Sequence, residues 1–189
     1  MFDDCTNLTS ITVDINNANY SSLDGVLFNK NKTTLILFPV GKGGSYTTIP
    51  NSVTSIGYRA FQFCTNLTSI VIPDSVTSIG VYAFISCTNL TYVVIPNSVT
   101  SIGDSAFGVC TNLTSVVIPN SVTRIGDYAF DRCTALTSIA IPHSVTSIGS
   151  NAFLNSGLAT VTIASGQLGI PSPASGVAFF GRTVATVPF

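Results

Sequence analysis

Glutamate and tryptophan are absent from this 189-residue sequence, and histidine and methionine occur once each. Charge is scarce. Aspartate supplies all eight acids, Lys and Arg total seven, and charged residues make up 8% of the chain against about 25% in an ordinary soluble domain. The formal net charge is −1, so no basic patch is implied and nucleic-acid binding finds no electrostatic support. Disorder is excluded from the other side, because it needs low hydrophobicity and high charge, and 46% of this chain is hydrophobic. No apolar run approaches the roughly 20 residues of a membrane span, so membrane insertion is not expected. The start, "MFDDCTNLTS", lacks the basic and apolar stretches of a signal peptide; a secreted chain that had lost its leader would look the same. Solubility must rest on Ser, Thr and Asn.

What the chain does have is a period. Cys64, Cys87, Cys110 and Cys133 stand 23 residues apart each time. Phe61, Phe84, Phe107, Phe130 and Phe153 form a second column, and Pro50, Pro73, Pro96, Pro119 and Pro142 a third. "SVTSIG" or "SVTRIG" recurs in step with them. A fixed period of 20–50 residues is the signature of a solenoid.

One unit shows how a coil is built. In "CTNLTSVVIP", the polar "CTN" reads as a turn and the short β-branched run after it as a strand. Pro119 ends that strand, having no N–H to give. "NSVTRI" reads as a second extended piece, Gly126 as a position of positive φ, and "DYAFDRC" as one turn of 3₁₀ or α-helix, with Asp104 and Asp127 as caps. The strand period of two sends Leu113, Val116 and Ile118 inward and Ser115 and Val117 outward. One coil cannot bury its apolar positions, but a stacked neighbour can, so each column becomes a ladder of like residues.

The spacing Leu-x-x-Val-x-Ile-Pro-x-x-Val-x-x-Ile-Gly-x-x-Ala-Phe-x-x-Cys, from Leu113 to Cys133, resembles the BspA-type leucine-rich repeat, also called the Treponema pallidum type. The resemblance covers residues 1–163 apart from one insertion. It implies a leucine-rich-repeat solenoid with a parallel β-sheet on the concave face and short extended and 3₁₀ or helical segments on the convex side. It also implies an extracellular or cell-surface protein, non-enzymatic, working in adhesion or protein binding, with a host-matrix or surface protein as partner.

The expected organisation is a single domain over 1–189. Residues 14–49 form an irregular insertion, 50–163 the regular repeats and 164–189 a C-terminal cap. Cys5 and Cys64 are 59 residues apart, 36 more than one period. Within the excess, "DGVLFNKNKTTLILFP" reads as a hairpin around "NKNK", and "TTLILFP" and "YTTIP" both imitate the repeat strand, so one or both are candidates to join the main sheet. Phe2 precedes Cys5 as Phe61 precedes Cys64, so the chain begins inside a repeat and further sequence upstream is expected. After Ile163 the period stops, and the tail reads either as a cap over the open sheet edge or as a linker.

Few residues are candidates for chemistry. The cysteines lack the clustered spacing of a metal site, and stacking points their Cβ atoms in parallel, which is poor disulfide geometry; they read as buried free thiols. His143 reads as an exposed turn residue, and Asp104 with Asp127 as turn caps rather than an acid–base pair. The Asn-Leu-Thr sites at Asn7, Asn66, Asn89 and Asn112 match a glycosylation acceptor but are already demanded by the fold. No catalytic residue, metal or other cofactor is expected.

What remains is a surface. The concave strand should display Ser10 and Thr12, Ser69 and Val71, Tyr92 and Val94, Ser115 and Val117, Ser138 and Ala140, and Thr160 and Thr162. Ser69, Val71, Tyr92, Val94, Ser115, Val117 and Ser138 are the expected ligand contacts. Tyr92, which interrupts a serine column, is the first choice because tyrosine is enriched at binding hot spots. Arg124 is a second irregularity, on another face, and the insertion carrying Lys30, Lys32 and Lys42 a third. Two other readings stand beside adhesion. One is a spacer or unit that self-associates end to end through open sheet edges. The other is a carbohydrate- or ice-facing surface built on the threonine columns, such as Thr54, Thr77, Thr100, Thr123 and Thr146.

Overall fold

A computed structural model describes residues 5–46 and 49–164. They form a β-solenoid of about six turns with no helix. Each regular coil contributes one outward-facing strand and one two-residue strand. The first kind comprises β6 (Leu67–Val71), β8 (Tyr92–Val94), β10 (Ser115–Val117), β12 (Ser138–Ile141) and β14 (Thr160–Ile163). The second comprises β5 (Ser55–Ile56), β7 (Ser78–Ile79), β9 (Ser101–Ile102), β11 (Arg124–Ile125) and β13 (Ser147–Ile148). Both kinds pair parallel and in register with the equivalent strand one period away, as Ser69↔Tyr92 and Ile79↔Ile102 show.

The sequence left open whether the insertion joins the sheets, and both of its repeat-like pieces do. β3 (Thr34–Leu37) pairs parallel with β5, and β4 (Gly44–Tyr46) pairs parallel with β6. Together they make an irregular rung. The hairpin around "NKNK" forms as β2 (Val26–Asn29) against β3. A further strand, β1 (Tyr20–Leu23), extends it through a two-residue turn in which Asp24 and Gly25 both have positive φ, at 49° and 76°. That turn was missed in the sequence, although Asp-Gly between extended runs is a strong hairpin signal. The resulting sheets are an eight-stranded one ordered β1-β2-β3-β5-β7-β9-β11-β13, a four-stranded one ordered β10-β8-β6-β4, and the pair β12-β14. The expected C-terminal cap lies outside the described residues except for Ala164.

The turn segments differ from the expected 3₁₀ or helical turn. In "YRAFQFC", alternate amides point to different partners. Arg59, Phe61 and Phe63 donate across to Val81, Ala83 and Ile85 of the next coil, at 3.1, 2.7 and 3.0 Å. Ala60, Gln62 and Cys64 donate three residues back, to Gly57, Arg59 and Phe61. A helix would keep all these bonds within the segment; here half of them tie coil to coil, and Arg59 and Phe63 take left-handed φ to allow it. Gly126 also departs from expectation. It and its column mates lack positive φ, which among the described glycines belongs to Gly25 and Gly44. The glycine column exists because coils approach closely there: a Cβ at Gly103 would lie 2.6 Å from the carbonyl carbon of Gly80.

The core is the predicted set of ladders. Val53, Val76, Val99 and Val122, Leu67, Leu90, Leu113 and Leu136, and the Ala and Cys columns are all fully buried. The phenylalanines stack from Phe61 to Phe153 with centroids 4.8, 5.1, 5.3 and 5.4 Å apart. Phe38 of the insertion continues the stack at 5.0 Å from Phe61, and Tyr46 packs on Phe38 at 4.9 Å. Toward the C-terminus this spacing slightly exceeds the ~4.8 Å between paired strands, as offset stacking of the rings allows. Beside the rings, the thiols of Cys87, Cys110 and Cys133 donate to the carbonyls of Phe61, Phe84 and Phe107 at 3.0–3.2 Å. Burial pushes the Cys64 and Cys133 thiols up to about 12, and raises Cys87 and Cys110 as well.

Three outcomes follow from this packing. Phe107→Ala should cost on the order of 3–5 kcal/mol by opening a cavity in the stack, read as a lowered urea midpoint. Gly103→Ala should cost roughly 1–3 kcal/mol by forcing two coils apart, in the same assay. The thiols titrate near 9 once unfolded and well above that when folded, so their contribution is intact below about pH 9 and is lost as pH rises toward 12. The urea midpoint at pH 10 should lie below that at pH 8, and Cys87→Ala should reduce the difference.

Candidate functional site

On β6, β8 and β10 the even alternation of a strand turns Ile70, Val93 and Val116 into the core and leaves their neighbours outside. The outward residues form two lanes along the solenoid axis. One lane runs Ser69, Tyr92, Ser115, and the other runs Val71, Val94, Val117, each residue in register with the next. On the β12–β14 pair the lanes are Ser138 with Thr160 and Ala140 with Thr162. The expected contact residues therefore share one face. Val71, Val94 and Val117 are 56%, 46% and 59% exposed and Tyr92 is 46% exposed, which is unusual for an unbroken valine stripe. No charged residue stands in either lane.

One member of the lane was missed and one pair was misplaced. Ser45 on β4 sits beside Ser69, whose hydroxyl donates to it at 2.8 Å. Ser10 and Thr12 are in no described strand; the chain there bonds instead to the insertion, with the Ile11 amide donating to Gly25. Aligning "YTTIP" with "IVIP" on proline would turn Tyr46 outward. A register shift at Gly44/Ser45 instead pairs it with Ile70, and it is buried against Phe38 and Phe61. The signal was Tyr46 itself, a large ring one rung below the phenylalanine ladder.

The remaining candidates have structural duties. Asp104 accepts the Asp127 amide at 3.0 Å, and Asp127 accepts the Ser150 amide, so each carboxylate caps the first turn of the next coil. Arg124 lies on the two-residue-strand face, 3.3 Å from Asp104 and more than half exposed, where an ion pair contributes little. Burial raises the Asp131 carboxyl and the neighbouring Arg132 opposes it, at 3.7 Å. His143 is exposed on its turn, as are Asn66, Asn89 and Asn112. Lys30 is spent inside the insertion, donating to the carbonyls of Ile15 and Asn17 at 3.0 and 2.6 Å. Among the described residues, no three His, Cys or Asp side chains converge to hold a metal ion, and no helix is long and apolar enough to cross a membrane.

The threonine columns are less free than the sequence implies. Thr77, Thr100, Thr123 and Thr146 each donate their hydroxyl to the threonine carbonyl one coil back, at 3.2–3.4 Å. Thr91 and Thr114 do the same in their own column. These hydroxyl protons serve the frame.

Comparison with known proteins places this arrangement among repeat proteins of bacteria. A family model described as the BspA type leucine rich repeat region matches residues 40–159 in six copies. A leucine-rich cell surface protein of Faecalibacterium prausnitzii is 36% identical with a TM-score of 0.80, covering 87% of this chain and 44% of its own. The pneumococcal vaccine antigen PcpA is 26% identical with a TM-score of 0.72, covering 82% and 39%. A Treponema pallidum leucine-rich repeat protein is 31% identical with a TM-score of 0.58, covering 76% and 67%. The chain thus spans less than half the length of the first two. No curated protein matches it.

Proposed function

The chain belongs to the BspA-type leucine-rich repeat family, whose members are typically surface proteins, and from that premise we propose that it is a non-enzymatic adhesion module that binds a protein partner on its concave sheet. The observation that carries this reading is the exposed pair of lanes. The fold needs the inward residues of β6, β8 and β10, but places no demand on the outward ones. Three valines are nevertheless held there in a row, beside a lane in which Tyr92 stands between Ser69 and Ser115. Small apolar groups beside one amphipathic ring suit a protein surface, where a buried aromatic anchor is rimmed by polar groups. An uncharged strip offers nothing to a polyanion. A water-ordering surface is disfavoured because the threonine hydroxyl protons are turned into the backbone ladder.

The setting is extracellular. The Faecalibacterium relative is a cell surface protein, and that location is carried here as part of the proposal. The partner is a matrix protein or another surface protein.

The test is binding of the full chain to arrays of purified extracellular-matrix and surface proteins, with a glycan array alongside. Tyr92→Ala should leave the melting temperature nearly unchanged and weaken binding to any protein captured by about tenfold or more. Binding confined to glycans, or undiminished protein affinity in the variant, overturns the concave-face reading.

A further inference from the structure

The turn face carries its own departure from the repeat. The column that holds Asp104 and Asp127 holds Val81 and Ser150 in two other coils, and Tyr58, followed by Arg59, in the first. Each of those aspartates caps the next coil's amide. A tyrosine ring has no acceptor at that reach, so Tyr58 gives up a stabilising bond that the fold obtains elsewhere. Instead, the Arg59 guanidinium lies 4.9 Å from the centroid of Tyr58 and 5.4 Å from that of Tyr82, and the two rings meet edge-on at 5.9 Å. Tyr58 remains 60% exposed.

Arg59 is also the unpaired one. Arg124 and Arg132 have carboxylates within 4 Å, at 3.3 and 3.7 Å. Arg59 has none among the described residues, and its shielded Nε meets no acceptor there. A guanidinium already held on aromatic faces loses little further freedom when an anion docks, and its planar fork matches a carboxylate. Val81, whose carbonyl accepts the Arg59 amide, is half-buried, and farther along the same turns Phe63 is 44% exposed and Ile85 half-buried. These apolar groups would leave the hydroxyls of a sugar without partners.

We infer that Tyr58, Arg59 and Tyr82 form a second contact site, for an acidic peptide segment that sets one carboxylate on the guanidinium edge and an apolar side chain on the open face of Tyr58. It rests on the reading that the chain recognises proteins, but not on the concave sheet. Tyrosine and arginine are the residue types that dominate protein-binding hot spots.

The experiment is an amide NMR titration of the full chain with a hexapeptide alternating Glu and Leu, its Gln–Leu counterpart, and an oligogalacturonate. The Glu–Leu peptide alone should shift the Tyr58, Arg59 and Tyr82 amides and the Arg59 Nε–H. Arg59→Gln should weaken it about tenfold, and Arg59→Lys by less. Tyr58→Asp introduces the cap seen at Asp104 and Asp127, so it should raise the melting temperature while abolishing peptide binding; loss of binding then cannot be loss of fold. Equal response to the Gln–Leu peptide, unchanged affinity in Arg59→Gln, a response only to oligogalacturonate, or none at millimolar peptide overturns the site. Tyr92→Ala should leave this titration unaltered. If it abolishes the response while Arg59→Gln does not, the peptide binds the concave sheet and that reading survives alone.

Discussion

Everything in this structure depends on one constraint: equivalent residues in successive coils must lie one strand spacing apart and in register. Backbone hydrogen bonds set that distance, since each coil's strand amides and alternate turn amides are donated to the neighbouring coil. Once the spacing is fixed near 4.8 Å, identical side chains fall on one another. Flat rings tolerate that repeat because they can stack offset, which explains why phenylalanine occupies a core column. The glycine column is the same constraint seen from the crowded side, where no Cβ fits between coils. A repeat protein of this kind has little local autonomy. No coil could bury its own apolar positions, so stability comes from interfaces between coils.

The regular part of the fold was legible for this reason. Periodicity of 23 fixed which residues would touch, and the alternation around Leu113 fixed which would face out, so the phenylalanine ladder and the outward Ser115 and Val117 follow from counting. Counting fails where the backbone solves a local problem by unequal means. The turn segment reads as a single 3₁₀ or α turn because it is too short for a free-standing helix and begins at a capping aspartate. Its actual form is dictated by amides seeking partners in the next coil, which no single repeat reveals. The glycines were misread because a positive φ and a close approach both select glycine, and only the stacking distance tells them apart. The insertion was half legible: its strands imitate repeat strands, but the shift that buries Tyr46 and brings Ser45 into the serine lane is a matter of one residue of register.

The candidate site follows a different logic. The ladders consume the inward positions and many threonine hydroxyls, so what distinguishes this chain is what it places at positions the frame leaves unconstrained. Tyr92 stands where its column otherwise has serine or, at Thr160, threonine, and Tyr58 where capping aspartate would serve the fold better. Such departures are informative because the repeat supplies its own control: the neighbouring coils show what the same backbone accepts. Tyr58, like Val81 in the same column, forgoes a cap of about 1 kcal/mol, but Tyr58 brings a ring that holds Arg59.

The scarcity of charge then shapes how any partner would arrive. Electrostatic steering raises association rates only where potentials are strong and complementary, and the concave lanes carry no charge. Encounter at the proposed concave site would proceed at the ordinary rate of roughly 10⁵–10⁷ per molar per second, insensitive to salt, and affinity would be decided by how slowly apolar contacts around Tyr92 release. The proposed turn site would behave oppositely, because its one uncompensated guanidinium responds to screening. Two surfaces on one solenoid, one silent to ionic strength and one not, make salt the variable that separates them. A partner spanning both would show a salt dependence carried by Arg59 alone, and removing that charge would leave a weaker interaction that no longer responds to salt.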